Sequence, residues 1–195
     1  MAGKTLVISE IFPPRHGGSG RWFYELYRRL PTDRFVICAG VHEQAHEFDD
    51  ANSLHTFRVD LSSPEWGLCS VRGLRFYIRS FFQLRRVVRE HGVSMIHCGR
   101  CLPEGLFGWL FRVMYRVPFL CYVHGEDVGT ATLSREYSLL TRAVMSKSTG
   151  LIANCRHSAA LLAERWGQPQ RKINVLHPGM DASVFLPAAR DEQFL

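Results

Sequence analysis

The chain has 195 residues, of which 46% are hydrophobic, and this is ample for one globular domain with a buried core. No apolar run reaches transmembrane length, since the longest, 105–123, contains Arg112, Arg116 and Pro118. The formal net charge of +6 favours an anionic partner, such as a phosphate-bearing ligand, nucleic acid or an acidic lipid, without choosing among them.

Cysteine usage points to a reducing environment. The six cysteines lie mostly inside apolar runs, at positions 38, 69, 98, 101, 121 and 155. The chain does not open on a basic-then-apolar leader, and it is large for a disulfide scaffold. We therefore expect reduced thiols in a cytoplasmic protein.

Short apolar runs alternate with longer amphipathic runs along the chain. The predicted strands are 4–9, 34–39, 55–60, 93–98, 118–123, 149–154 and 172–177. Several of them are nearly continuous apolar segments, which is typical of strands buried on both faces of a parallel sheet. The predicted helices are 19–30, 71–90, 103–115, 134–147 and 156–166, and the polar segment 41–54 is predicted to be a loop.

The repeated β-α-β order predicts an α/β fold with a doubly wound, Rossmann-like parallel sheet of about seven strands and helices on both faces. Ligands of such sheets bind beyond the carboxyl ends of the strands. The residues that follow each strand are therefore the candidates for chemistry.

The first such segment is FPPRHGGSG, residues 12–20, between the first strand and the first helix. A glycine-rich entry to a helix lets a phosphate or sugar approach the unpaired N–H groups of the helix N-terminus without a clash with Cβ. The alternative is a tight turn with no ligand, although two prolines and three glycines exceed what a turn needs.

This loop departs from the known nucleotide fingerprints. Gly18 and Gly20 begin a GxGxxG pattern, but Phe23 stands at its third position, and the second strand ends in Cys38-Ala39-Gly40 without the acid that would bind a ribose. No GK[ST] follows, so it is not a Walker loop. A nicotinamide oxidoreductase is accordingly disfavoured.

The segment CYVHGED, residues 121–127, ends another strand. His124 is suited to act as an acid, a base or a hydrogen-bond donor at neutral pH, and Glu126 and Asp127 to orient ligand hydroxyls. The alternative roles are a structural histidine and carboxylates that cap the next helix.

The segment IHCGRCLPEG, residues 96–105, contains a CxxC motif, which is a pattern found in redox sites and zinc sites. Zinc needs four ligands, and no second CxxC or HxxxH partner is present. We favour a polar pocket beside the glycine loop, shaped by Gly99, Arg100 and Glu104. The alternative is that Pro103 and Glu104 only begin a helix.

Helix 71–90 carries a basic surface. The predicted core stripe is Leu74, Tyr77, Phe81, Leu84 and Val88. The opposite side groups Arg72, Arg75, Arg79 and Arg86, flanked by Phe76, Phe82 and Val87, which are predicted to be partly exposed. Arginines beside exposed aromatics suit an anionic membrane surface, and an ordinary solvated face is the alternative. No nucleic-acid-binding pattern appears.

Five segments together resemble the retaining nucleotide-sugar glycosyltransferases of the two-Rossmann (GT-B) architecture, of the group 1, family 4-like type. The resemblance covers nearly the whole chain. The segments are FPP..GG.G at 12–20, GR.LPEG at 99–105, HGED at 124–127, ANC..SA.LL at 153–162 and HPGMDASVF at 177–185. The last is similar to the family's P-N-G-V-D turn, with the Asn absent.

The resemblance implies an N-terminal domain that mainly holds the acceptor. It implies that Gly17 and Gly18 lie against the donor phosphates and that His124 acts at the transferred sugar. The remaining pocket residues that it implies are Arg15, Ser19, Arg100, Glu104, Glu126, Asp127 and Asn154. It also implies a UDP- or GDP-sugar donor, no metal and no other cofactor, because helix dipole and basic side chains stabilise the leaving diphosphate.

The resemblance further divides the chain into a Rossmann-like domain at 1–180 and an interdomain linker stub at 181–195. The family's C-terminal donor domain is absent, so we expect an excised domain or half of a split enzyme with little activity alone. The expected partners are a nucleotide sugar, a sugar or lipid-linked acceptor and that donor domain, in the cytoplasm or at the inner face of a membrane. A non-catalytic sugar or lipid docking module is the alternative.

Overall fold

The structure is a computed structural model that describes residues 3–63, 65–182 and 185. Seven parallel strands form one sheet in the order β3-β2-β1-β4-β5-β6-β7. The strands are β1 Lys4–Ser9, β2 Phe35–Gly40, β3 Thr56–Val59, β4 Val93–Cys98, β5 Phe119–Val123, β6 Gly150–Ala153 and β7 Ile173–Val175. The doubly wound α/β fold predicted from the sequence is confirmed.

Helices connect successive strands. They are α1 Gly18–Tyr27, α2 Ala45–Ala51, α3 Val71–Glu90, α4 Glu104–Tyr115, α5 Glu126–Thr130, α6 Arg135–Lys147 and α7 Arg156–Glu164, with short 3₁₀ turns at 32–34, 131–133 and 170–172. The seven strands and five long helices begin and end within three residues of their predicted limits. The predicted linker stub at 181–195 lies outside the described residues except for 181, 182 and 185.

Two short helices were missed. The predicted loop at 41–54 contains α2, in which only Ala45 is buried, and α5 begins inside the HGED segment. A helix of five or seven residues makes fewer than two turns, so it leaves almost no periodic signal in a sequence.

The core has one part on each face of the sheet. On one face, Leu6, Ile8 and Cys121 pack with buried side chains of α3, α4, α6 and α7. On the other face, Val7, Ile37 and Tyr122 pack with aromatic side chains of α1. Alternate residues of one strand therefore serve opposite faces, as the period of two along a strand requires.

The predicted core face of α3 needs a correction. Leu74 is exposed, whereas Phe76 and Val87, expected at the partly exposed flank, are buried. The buried face also contains Gly73 and Ser80. A Cβ at Gly73 would lie 2.0 Å from the Gly67 carbonyl oxygen, and the Ser80 hydroxyl donates to the Asp60 carbonyl. These close contacts of Gly73 and Ser80 with the backbone help to determine which face of α3 is buried. That face differs from the one predicted from hydrophobicity alone.

His97 belongs to the core and not to a site. Its ring lies against Tyr122, and its Nδ1 is within hydrogen-bond distance of the Tyr27 hydroxyl. Burial lowers the pKa of His97 to about 4, so the imidazole is neutral at physiological pH.

All six cysteines are free thiols, and Cys38, Cys98, Cys101 and Cys121 are buried. Among the described residues, no helix combines the length and apolar character needed to cross a membrane.

Candidate functional site

A cavity of about 560 Å³ opens at the carboxyl edge of the sheet, between the loops that follow β1, β4, β5 and β6. It is lined by Ile11, Gly17, Gly18, Ser19, Trp22, Trp66, Arg100, His124, Glu126, Asp127, Thr130, Asn154 and Pro178. The fold thus brings residues separated by more than a hundred positions in the chain to one place, where α/β sheets bind their ligands.

Eight of the residues selected from the sequence line this cavity: Gly17, Gly18, Ser19, Arg100, His124, Glu126, Asp127 and Asn154. Arg15 and Glu104 do not line it. Both instead pair with groups at Glu10, Glu104 from a buried position and Arg15 from a partly exposed one. Arg72, Arg75, Arg79 and Arg86 are exposed on α3, as expected.

A buried ion cluster forms the base of this edge. The Arg100 guanidinium contacts the carboxylates of Glu10 at 2.5 Å and of Glu104 at 3.2 Å, and Arg15 contacts Glu10 at 2.9 Å. Glu104 also accepts from the Glu10 backbone N–H at 3.0 Å. Burial by itself would lower the pKa of Arg100, but the two carboxylates outweigh it and raise that pKa. Arg100 therefore stays charged at the cavity wall.

The N-terminus of α1 is open. No side chain caps it at Gly17, and its first turn contains no acidic residue. A Cβ at Gly20 would lie 2.7 Å from the Ile11 carbonyl oxygen, so protein packing explains that glycine. A Cβ at Gly18 would meet nothing within 4 Å. The glycine at 18 thus leaves free space in front of unpaired N–H groups, which is the arrangement that binds anions.

His124 is held at three points. Its Nε2 donates to the Gly99 carbonyl at 3.0 Å, and its backbone N–H donates to Asp127 Oδ1 at 3.1 Å. Its carbonyl accepts from Asn154 Nδ2 at 3.3 Å, and Asn154 in turn accepts from the Ser158 hydroxyl. Because Nε2 is the donor to a carbonyl, Nδ1 of the neutral ring carries the free lone pair.

Asp127 acts as the cap of α5. Its Oδ1 accepts from the backbone N–H groups of both His124 and Gly125, at 3.1 and 3.0 Å. Burial raises the pKa of the Asp127 carboxyl, against the opposing effects of the His124 side chain, of the Val128 and His124 backbone N–H groups and of Arg100. The capping alternative left open by the sequence is therefore realised at Asp127, which also lines the cavity.

Two tryptophans that line the cavity, Trp22 and Trp66, were not among the residues selected from the sequence. Trp22 lies edge-on to His124, with ring centroids 5.8 Å apart. Trp66 packs against the Arg100 guanidinium, 5.2 Å from the ring centroid, and its carbonyl accepts from the Tyr77 hydroxyl. A loop tryptophan without neighbouring motif residues gives no sequence signal, because only the folded chain brings it beside Arg100.

The CxxC residues do not form a reactive thiol pair. Cys98 and Cys101 are buried and free, and a hydrogen bond to Cys121 together with burial raises the pKa of Cys101. A buried thiol that resists ionisation is a poor nucleophile and a poor metal ligand. Within the described part of the chain, no group of three or more His, Cys, Asp or Glu side chains is arranged to hold a metal ion.

The third position of the incomplete GxGxxG pattern is part of the core. Phe23 is fully buried and packs edge-on to Tyr122, with ring centroids 4.8 Å apart. A side chain of this size stands where a dinucleotide fingerprint needs a glycine for close helix–strand packing.

The open α1 N-terminus, the strand-end histidine and the seven-stranded parallel sheet together define the N-terminal domain of a GT-B glycosyltransferase. The chain belongs to glycosyltransferase family 4, because the model of that family matches residues 16–184. The resemblance inferred from the five segments is thus confirmed.

Curated relatives are similar over nearly the whole chain. A GDP-mannose-dependent alpha-(1-6)-phosphatidylinositol monomannoside mannosyltransferase from Mycobacterium tuberculosis is 27% identical over 195 residues, covering 97% of this chain and 48% of the relative. The protein of the same name from Mycolicibacterium smegmatis is 24% identical, covering 93% and 46%. The chain therefore spans about half the length of the curated relatives it matches.

Solved structures share the fold at low sequence identity. A glycosyltransferase from Rickettsia africae has a TM-score of 0.69 and 14% identity, covering all of this chain and 48% of that protein. Anabaena HepE in complex with UDP has a TM-score of 0.67 and 13% identity, covering 93% and 45%.

We predict that Asp127→Ala lowers the free energy of unfolding by about 1 to 2 kcal/mol, since two amides lose their acceptor. Asp127→Asn keeps an acceptor oxygen and should stay closer to the wild type at pH 7. The raised pKa means that ionisation of Asp127 costs stability as the pH rises from its unfolded value towards its folded value. The free energy of unfolding of the Asn variant, relative to that of the wild type, should therefore increase between pH 4 and pH 7.

Urea unfolding of the three proteins at both pH values measures these differences. Equal losses in the Ala and Asn variants at pH 7 would contradict the capping role.

Proposed function

We propose that this domain takes part in transfer of a sugar from a nucleoside diphosphate sugar to an acceptor hydroxyl, at a cleft completed by a second, donor-binding domain. The observation that carries the proposal is one cavity that is lined both by the open α1 N-terminus at Gly18 and by His124 and Glu126. It offers separate places for a diphosphate and for sugar hydroxyls.

The chemistry follows from the residues present. The leaving diphosphate gains negative charge as the sugar departs, and the partial positive charge of a helix N-terminus stabilises such an anion. His124 has one nitrogen fixed on Gly99 and the other free, which suits a hydrogen bond to a hydroxyl of the transferred sugar. Glu126, exposed at the start of α5, is the group placed to orient an acceptor hydroxyl.

Metal-independent transfer without other cofactors is part of the proposal. The uncapped helix supplies the positive potential that a divalent cation would otherwise provide. The curated relatives are named for GDP-mannose and for a phosphatidylinositol-linked acceptor, which favours a GDP-sugar and a lipid-linked acceptor here. A UDP-sugar is the second candidate, because HepE was solved with UDP.

We predict turnover when this chain and a donor-binding half are present together, as one polypeptide or as two, and little turnover by the chain alone. In the complete assembly, His124→Ala should lower kcat by about 100-fold, the scale of one lost transition-state hydrogen bond. His97→Asn, at the buried histidine outside the cavity, is the matched control. Product formation from GDP-mannose and UDP-glucose provides the measurement.

Robust turnover by the isolated chain would contradict the two-domain requirement. Donor binding without transfer in any assembly would instead favour a non-catalytic docking module.

The α3 surface supports a peripheral place at the inner face of a membrane. Val71, Leu74, Ile78 and Phe82 are exposed at spacings of three and four residues, so they form one stripe. Arg75, Arg79 and Arg86 lie along one side of that stripe. A basic and apolar helix face is suited to anionic lipid headgroups, and such placement would bring a lipid-linked acceptor to the cavity.

We predict that replacing Arg72, Arg75, Arg79 and Arg86 of α3 by Gln weakens binding to vesicles containing anionic lipid by about 10- to 100-fold, since each neutralised arginine removes attraction to the surface. Co-sedimentation at low and high salt is the measurement. A control carries the same charge change at four exposed basic residues elsewhere, Arg34, Lys147, Arg165 and Arg171. Equal loss in both variants would show that net charge, and not the α3 face, determines binding.

A further inference from the structure

One buried arginine outside the cavity contacts the glycine loop. Arg58 lies in β3, its side chain is 14% exposed, and it is absent from the cavity lining. Its guanidinium donates to the Pro13 carbonyl at 2.7 Å and to the Gly40 carbonyl at 3.1 Å. It therefore joins the glycine loop to the carboxyl end of β2.

Arg58 is itself held in a fixed orientation. Asp49 of α2 accepts from Nε at 2.8 Å and from Nη2 at 2.6 Å, a two-pronged pairing. The guanidinium carbon lies 5.9 Å from the centroid of the buried Phe12 ring. A planar group with a carboxylate, two carbonyls and an aromatic ring around it has little freedom to turn.

The other end of the glycine loop has a different anchor. Glu10 is fixed by Arg15, Arg100 and the buried Glu104. Arg58 acts at Pro13, between Glu10 and the cavity residues Gly17 and Gly18. Without Arg58, the Pro13 carbonyl would lose this donor, and the segment from Ile11 to Gly17 would depend on the buried Phe12 and on the pairing of Arg15 with Glu10.

We propose that Arg58 is a positioning residue for the donor: it fixes the backbone of the glycine loop so that Gly18 and the α1 N-terminus meet the diphosphate in one geometry. The proposal rests on the function proposed above. Arg58 acts through Pro13 and does not touch the donor. Its loss should therefore weaken donor binding and leave acceptor binding unchanged, because Glu126, the group proposed to orient the acceptor, follows β5 and does not contact Arg58.

The first test is Arg58→Lys, which keeps the charge beside Asp49 but cannot reach Asp49, Gly40 and Pro13 together. In the chain itself, hydrogen exchange measured by mass spectrometry should become about 10-fold faster at the hydrogen-bonded amides of residues 11–20, such as that of Arg15, which donates to the Phe12 carbonyl. This factor is the scale of one lost charged hydrogen bond. Asp49→Asn is the second variant and should give a smaller change of the same sign. Arg112→Gln, whose guanidinium contacts Thr149 at the opposite edge of the sheet, is the control.

The second test is kinetic and uses the chain together with a donor-binding half. We expect Arg58→Lys to raise the KM for the nucleotide sugar about 10-fold and to change the acceptor KM less than twofold. Unchanged exchange at 11–20 would overturn the proposal. So would equal increases in both KM values that parallel a lower unfolding midpoint, since that pattern means general destabilisation.

The hydrogen-exchange test and the kinetic test distinguish failure of this proposal from failure of the proposed function. Failure of the wild-type assembly to bind or transfer any nucleotide sugar would refute the function. Faster hydrogen exchange at residues 11–20 in Arg58→Lys would still support the role of Arg58 in fixing the glycine loop, because that measurement needs no donor.

Discussion

The contact of Arg100 with Glu10 and Glu104 is the constraint on which the site depends. It joins the residue after β1, the turn after β4 and the first residue of α4, so three elements meet at one buried charge cluster. Glu104 is 1% exposed, and removal of Arg100 would leave its buried charge without the cation that it contacts. The cluster therefore fixes geometry more than it adds net stability.

The rest of the edge is arranged around that fixed point. Side chains around the cavity are held by partners in the fold, as Arg58 is by Asp49 and Asn154 by Ser158. Groups that face the cavity retain free hydrogen-bonding positions. The N–H groups at the start of α1, at Gly18, lack a side-chain cap, and one nitrogen of His124 has no partner among the hydrogen bonds of the described residues. A site with rigid supporting residues and free hydrogen-bonding groups towards the cavity is what binding of a charged, polar ligand requires.

The fold was predictable because its signal is repetitive. Continuous apolar strands such as β2 and long amphipathic helices such as α3 identify a parallel α/β sheet, and that topology alone brings Gly18, His124 and Asn154 to one edge. Pairing between distant residues was not predictable. Glu10, Arg58 and Trp66 carry no motif, and the helix that presents Asp49 is too short to leave a period. Arg15 and Glu104 have the right charges for a pocket, yet both pair with Glu10 and neither lines the cavity.

The most direct measurement is the donor KM of a Gly18→Ala variant in the assembled two-domain protein. A methyl group there meets no protein atom within 4 Å and extends a better helix former into α1, so the unfolding midpoint should equal or exceed that of the wild type. If the diphosphate binds at this helix N-terminus, the donor KM should rise about 10-fold or more, because the methyl group occupies the space of the phosphate. A stable Gly18→Ala variant with an unchanged donor KM would contradict the account.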